Sequence, residues 1–132
     1  MDEAIFRISK SIPRAKSLRD MAADRLADIK IEKKPYKIVE QYYEIIKELD
    51  TALMYADGFK TLSHKSLISY LEINYSKSFG KDEIVLMDET RKLRNDILYY
   101  GKQVDSAFLV NHEEKLKFII KKLLKLVEEK LK

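Results

Sequence analysis

The segment 91–101, Arg-Lys-Leu-Arg-Asn-Asp-Ile-Leu-Tyr-Tyr-Gly, concentrates side chains that are able to bind or transform a charged ligand. Leu93 and Ile97 lie four residues apart, and a glycine such as Gly101 commonly follows the last turn of a helix. The segment is therefore predicted to be the end of a helix. Its polar or aromatic members are Arg91, Arg94, Asn95, Asp96, Tyr99 and Tyr100. A planar guanidinium such as that of Arg94 suits a phosphate, so this is where we expect a site.

Helix geometry decides which of these side chains meet. Asn95 and Tyr99 are four residues apart and share a face, as do Asp96 and Tyr100. Arg94 and Tyr99 are five apart, so they converge only if the helix ends near Tyr99 and the chain turns. The alternative is that Arg94 pairs with an acid of a neighbouring helix while the tyrosines pack the end of a bundle.

The residues Leu93-Arg94-Asn95-Asp96-Ile97-Leu98-Tyr99-Tyr100-Gly101 resemble the signature of the HEPN (higher eukaryote and prokaryote nucleotide-binding) domains. That signature is an Arg with a polar neighbour, followed four to six residues later by a His at the end of a late helix. The segment 63–67, Ser-His-Lys-Ser-Leu, also looks like a helix start of this family.

The resemblance implies an all-α homodimer whose two motifs meet in a shared cleft. It also implies metal-independent RNA cleavage, often by a toxin that a small nucleotidyltransferase antitoxin neutralises. In that chemistry the Arg holds the scissile phosphate and the His moves a proton. The equivalent positions here are Arg94, with Asn95 as its polar neighbour.

The sequence departs from the signature where the His belongs, because it has Tyr99, or Tyr100 one residue later. A phenol titrates near about 10 and an imidazole near about 6.5, so Tyr is the poorer general base at neutral pH. We therefore expect a retained RNA- or nucleotide-binding site with weak or absent ribonuclease activity. Its catalytic candidates are Arg94, Asn95 and Tyr99, and its substrate-binding candidates are Arg91, Asp96, Tyr100 and His64. His64 replaces the missing imidazole only if the fold brings it beside Arg94.

Two other functions remain open. The missing His, with the broad apolar faces of the second and last predicted helices, favours a non-enzymatic module that docks a partner such as a nucleotidyltransferase antitoxin. An unrelated helical bundle without a site predicts instead that Arg94 binds an intramolecular acid and that Tyr99 packs inside.

The elements that carry these residues are predicted from apolar spacing. The pattern indicates an all-α, up-and-down bundle of four to five helices forming one domain over residues 1–132. Helices are predicted over about 11–31, 35–57, 64–75, 81–100 and 106–131, with a weakly helical start at 2–10. No segment alternates strongly at period two, so no sheet is predicted. Arg7, Lys10 and Arg14 are predicted on one face, either as a solvated surface or as a phosphate-contacting stripe.

Composition excludes several classes of protein. The 132 residues include no cysteine and only two histidines, which leaves neither a disulfide framework nor zinc-finger spacing. No Gly-rich phosphate loop or nucleophile elbow occurs, so no metal or cofactor is expected. Residues 1–20 lack a signal-peptide pattern, and no apolar run approaches the about 18 residues of a membrane span. We therefore expect a cytoplasmic protein; its net charge of +4 permits contact with phosphates.

Overall fold

The computed structural model describes residues 3–132, which form five helices and two short strands. In chain order the elements are β1 (Ile5–Arg7), α1 (Ile12–Ile29), α2 (Pro35–Asp57), β2 (Phe59–Thr61), α3 (His64–Asn74), α4 (Lys81–Tyr100) and α5 (Ala107–Lys130). The predicted all-α bundle is confirmed, and the helices begin and end within about two residues of the predicted positions.

Helix α2 is the centre of the bundle. Its stripe of large side chains is almost fully buried, including Tyr42, Ile45, Leu49 and Leu53. Helices α1, α3, α4 and α5 all pack against α2, which is why its apolar face is wider than that of a surface helix. Side chains from four other helices can therefore meet on α2.

The helix ends follow local signals in the sequence. The hydroxyl of Ser11 accepts a hydrogen bond from the Arg14 N–H at 3.3 Å, and that of Ser63 accepts one from the Ser66 N–H at 3.2 Å. Gly101 closes α4 with a φ of 64°, in the left-handed region that favours glycine. The Ser63 cap fixes the start of α3 and so the position of His64.

The prediction of a weakly helical start and no sheet was wrong for the described residues; residue 2 of that segment lies outside them. Strand β1 pairs antiparallel with β2, with Ile5 opposite Thr61 and Arg7 opposite Phe59. Each strand has only three residues, too few for alternation to be visible in the sequence. Pairing with a distant segment overrides the local preference.

A half-buried carboxylate joins three helices at the end of α2. Asp57 accepts hydrogen bonds from the hydroxyls of Tyr70 and Tyr75, each at 2.6 Å, and pairs with Lys130 Nζ at 2.8 Å. These contacts connect α2, α3 and α5. None of the helices within residues 3–132 is both long and apolar enough to cross a bilayer.

Candidate functional site

Arg94 lies on α4 and faces α2. Its Nη2 donates a hydrogen bond to Glu44 Oε1 at 2.8 Å, and its Nη1 donates to Asn95 Oδ1 at 3.3 Å. The Arg94 side chain is only 13% exposed. Arg94 thus has the intramolecular acidic partner that the bundle alternative requires, and Asn95 helps to orient its guanidinium. Because a guanidinium has five N–H donors, these two bonds leave others for a ligand.

Tyr43, on α2, contacts both Arg94 and His64. The Cζ atom of Arg94 lies 5.3 Å from the centre of the Tyr43 ring, within the range of a cation–π contact. The imidazole centre of His64 lies 5.7 Å from the same ring centre. The two distances place the guanidinium carbon and the imidazole centre within about 11 Å of each other. The fold therefore brings an imidazole near Arg94 from another helix.

The surroundings of His64 keep its ring neutral. Partial burial, followed by the positive charges of Lys47 and Arg94, lowers the pKa of His64 below its ordinary value of about 6.5. At pH 7 the imidazole is therefore unprotonated and able to accept a proton. Burial also raises the pKa of Tyr43, which remains a neutral phenol.

Glu44 supplies the negative charge at this position. It pairs with Arg94 and with Lys47, one helical turn further along α2. Burial acts to raise the pKa of Glu44, but the bonds and charges of Lys47 and Arg94 outweigh burial and lower it. Glu44 is thus a carboxylate at neutral pH, and it accepts a hydrogen bond from the Arg94 Nη2 donor. An anionic ligand would have to displace it to bind this donor.

A second arginine faces the same region. Arg91 Nε donates a hydrogen bond to Asp88 Oδ1 at 2.9 Å, and the charge of Arg91 acts on the pKa of both Tyr43 and His64. We call the group formed by Lys47, His64, Arg91 and Arg94 around Tyr43 the Tyr43 site. Its three positive side chains are paired with two carboxylates, those of Glu44 and Asp88, so one positive charge remains in excess.

The remaining predicted site residues lie at the end of α4. Asp96 is 4.0 Å from Lys102 Nζ, while Tyr99 and Tyr100 are 67% and 82% exposed. Within residues 3–132, no side chain forms a hydrogen bond or ring contact with either tyrosine. The structure thus brings together Arg91, Arg94, Asn95 and His64, and leaves Asp96, Tyr99 and Tyr100 on the outer surface. The site-free bundle predicts that Tyr99 packs inside, whereas the structure exposes it.

Three residues of this site, Tyr43, Glu44 and Lys47, were not predicted, because the spacing of Tyr43 is that of a core residue of α2. Tyr43 is buried, and its ring contacts the side chains of Arg94 and His64. Glu44 and Lys47 are two of several charged residues along α2, so nothing in the sequence distinguishes them. Among the described residues no group of three or more His, Asp or Glu is arranged to hold a metal ion.

Neither the models of known protein families nor the sequences of characterised proteins match this chain. The geometry of the Tyr43 site and the resemblance of the segment around Arg94 are therefore the basis for inferring a function.

Proposed function

We propose that this protein is a HEPN-like RNA-binding protein that holds a phosphodiester at the Tyr43 site and cleaves it slowly without a metal. The single observation that carries the proposal is the contact of Arg94 and His64 with the same Tyr43 ring. A guanidinium that binds phosphate and a neutral imidazole within about 11 Å form the minimum pair for general-base cleavage of RNA. The imidazole comes from α3 instead of from the end of α4.

The chemistry assigns a role to each group. Arg94, with Arg91 and Lys47, holds the non-bridging phosphate oxygens in place of the Glu44 carboxylate. His64 takes the proton of the ribose 2′-hydroxyl, whose oxygen attacks phosphorus and forms a 2′,3′-cyclic phosphate. The bond from phosphorus to the 5′-oxygen breaks, this oxygen takes a proton from water, and His64 returns its proton to the hydroxide so formed.

Two features of the site lower the expected rate. Glu44 must give way before a phosphate reaches Arg94, whose side chain is 13% exposed. His64 is the only imidazole in the Tyr43 site, so no second imidazole protonates the leaving oxygen. We propose that the protein acts in the cytoplasm as a toxin that a nucleotidyltransferase antitoxin neutralises. By its resemblance to the family, we also propose that it forms a homodimer.

Binding and cleavage of a labelled single-stranded RNA 12-mer, in buffer with a chelator, test the proposal. Arg94→Ala is expected to weaken binding, while His64→Ala retains binding and loses cleavage by about 10²–10⁴-fold. The exposed α5 lysines Lys121 and Lys125 provide a matched control, since changing both to alanine leaves the Tyr43 site intact. The proposal fails if the wild type neither binds nor cleaves RNA, or if both properties survive Arg94→Ala unchanged.

One observation favours a second candidate, the non-enzymatic docking module. The apolar faces of α2 and α5 are used up in the core, but Leu98, Tyr99 and Tyr100 are 52%, 67% and 82% exposed in succession. Such a patch is typical of a protein-binding surface. Under this candidate, Tyr99→Ala with Tyr100→Ala abolishes association with a nucleotidyltransferase encoded beside this protein, whereas Arg94→Ala does not.

A further inference from the structure

Two exposed arginines lie against aromatic rings at the other end of α2. The Cζ atom of Arg14 is 5.4 Å from the centre of the Tyr55 ring, and that of Arg7 is 5.7 Å from the centre of the Phe59 ring. Within residues 3–132 neither arginine forms an ion pair with an acid. We call Arg7, Arg14, Tyr55 and Phe59 the N-terminal basic surface; among residues 3–132 no carboxylate is paired with its two positive charges.

Backbone hydrogen bonds hold this surface in place. The Ile8 N–H donates to the Gly58 carbonyl at 2.8 Å, and the Ser11 N–H donates to the Tyr55 carbonyl at 3.0 Å. Arg7 is also fixed by the pairing of β1 with β2. The backbone segments that carry the two arginines are therefore held in place in the folded protein.

The N-terminal basic surface and the Tyr43 site lie on the same side of α2. Glu44 is the partner of Arg94, and Tyr55 is the partner of Arg14. The two residues are eleven positions apart on α2, which corresponds to three helical turns to within about 20°. They therefore lie on the same side of the helix, separated by a rise of about 16 Å. Between them Lys47 and Thr51 are half-buried, so this stripe of α2 reaches solvent along its length. An extended ligand can follow the stripe from one surface to the other.

We infer that single-stranded RNA bound at the Tyr43 site continues along α2 to the N-terminal basic surface, where Arg7 and Arg14 contact its phosphates. This inference rests on the proposed function and adds the direction and length of the bound strand. Guanidinium groups beside Tyr55 and Phe59 fit a chain of phosphates whose unpaired bases stack on aromatic or guanidinium planes. A duplex hides its base faces, so the surface favours a single strand.

The test is the salt dependence of RNA affinity, measured by fluorescence anisotropy with a labelled 12-mer and a trinucleotide. The logarithm of the association constant falls with log salt, and each lost phosphate contact makes this slope less steep by about 0.7. Arg7→Gln with Arg14→Gln is therefore expected to make it less steep by about 1.4. If affinities converge at about 1 M salt, this slope makes 12-mer binding about 25-fold weaker at about 0.1 M. Trinucleotide binding, which needs only the Tyr43 site, is expected to stay unchanged.

The matched control is Lys121→Gln with Lys125→Gln, which removes an equal number of positive charges from α5. It is expected to leave the slope unchanged. Circular dichroism checks that every variant keeps its helices. If the 12-mer slope survives Arg7→Gln with Arg14→Gln while Arg94→Ala loses binding, the inference is refuted and the proposed function stands. An equal loss in the α5 control also refutes it, since net charge alone then explains binding. RNA binding that ignores Arg94→Ala refutes both.

Discussion

Replacing Glu44 by Gln is expected to strengthen RNA binding, although it removes an ion pair. The Glu44 carboxylate accepts a hydrogen bond from Arg94 at 2.8 Å and also pairs with Lys47. A hydrogen bond to a charged group contributes about 1.5–3 kcal/mol, which an incoming phosphate must offset to displace the carboxylate. Because the amide of the substituted side chain retains part of this interaction, the competition falls by about 1 kcal/mol, which corresponds to roughly a 5-fold lower Kd.

The same substitution should lower stability, because Arg94 and Lys47 lose their shared counter-ion. The amide oxygen of the substituted side chain still accepts one hydrogen bond, so we expect a loss of about 1 kcal/mol in the free energy of unfolding. Anisotropy with the RNA 12-mer gives the Kd, and thermal melting followed by circular dichroism gives the stability. Opposite signs of the two effects distinguish competition for Arg94 from a general loosening of the fold.

The control is Glu44→Asp, which retains the negative charge on a shorter side chain and is expected to give no gain in affinity. A folded Glu44→Gln protein whose RNA affinity is unchanged or weaker would show that Arg94 does not bind phosphate in competition with Glu44. The assignment of Arg94 as the phosphate ligand would then be abandoned.

Three further outcomes follow from the titrating groups. Because the pKa of His64 lies below about 6.5, the RNA cleavage rate should rise with pH through that pKa and level off by neutral pH; a rate that does not fall at all as the solution is acidified contradicts its role as base. Burial raises the pKa of Asp50 well above its usual range, so this carboxyl stabilises the fold only while protonated, and stability falls as pH rises through the folded-state pKa. Asp50→Asn should therefore raise the melting temperature at pH 8 more than at pH 4. Burial acts to raise the pKa of Asp57, but hydrogen bonds from Lys130, Tyr70 and Tyr75 lower it, so its contribution is present above the unfolded pKa and is lost as the solution is acidified. Asp57→Asn should cost about 1.5–3 kcal/mol at pH 7 in chemical denaturation and less at pH 3.

The helices were predictable because their signals are local. Ser11 and Ser63 precede the helices that they cap, and Gly58 and Gly101 follow the helices that they end. Apolar spacing within each segment supplied the rest. The strands were not predictable, since three residues carry no period and their pairing is set by distant backbone.

The candidate site was half predictable for the same reason. The local run around Arg94 and Asn95 indicated the C-terminal part of α4 as the place of the candidate site. Its partner Glu44 and the imidazole of His64 come from other helices, and only the packing of α3 and α4 on α2 brings them to Tyr43. Tyr99 was chosen by position in a motif, whereas α4 presents it to solvent.

The pairing of β1 with β2 has a consequence for the order of folding. Ile5 meets Thr61 only after the whole α1–α2 hairpin between them has formed, and closing so long a loop for a three-residue ladder is entropically unfavourable. We therefore expect the ladder to form last and to open first, while the five helices remain intact. Amide hydrogens of β1 should exchange by local opening, well ahead of those in α2, and the placement of Arg7 depends on this least protected part of the molecule.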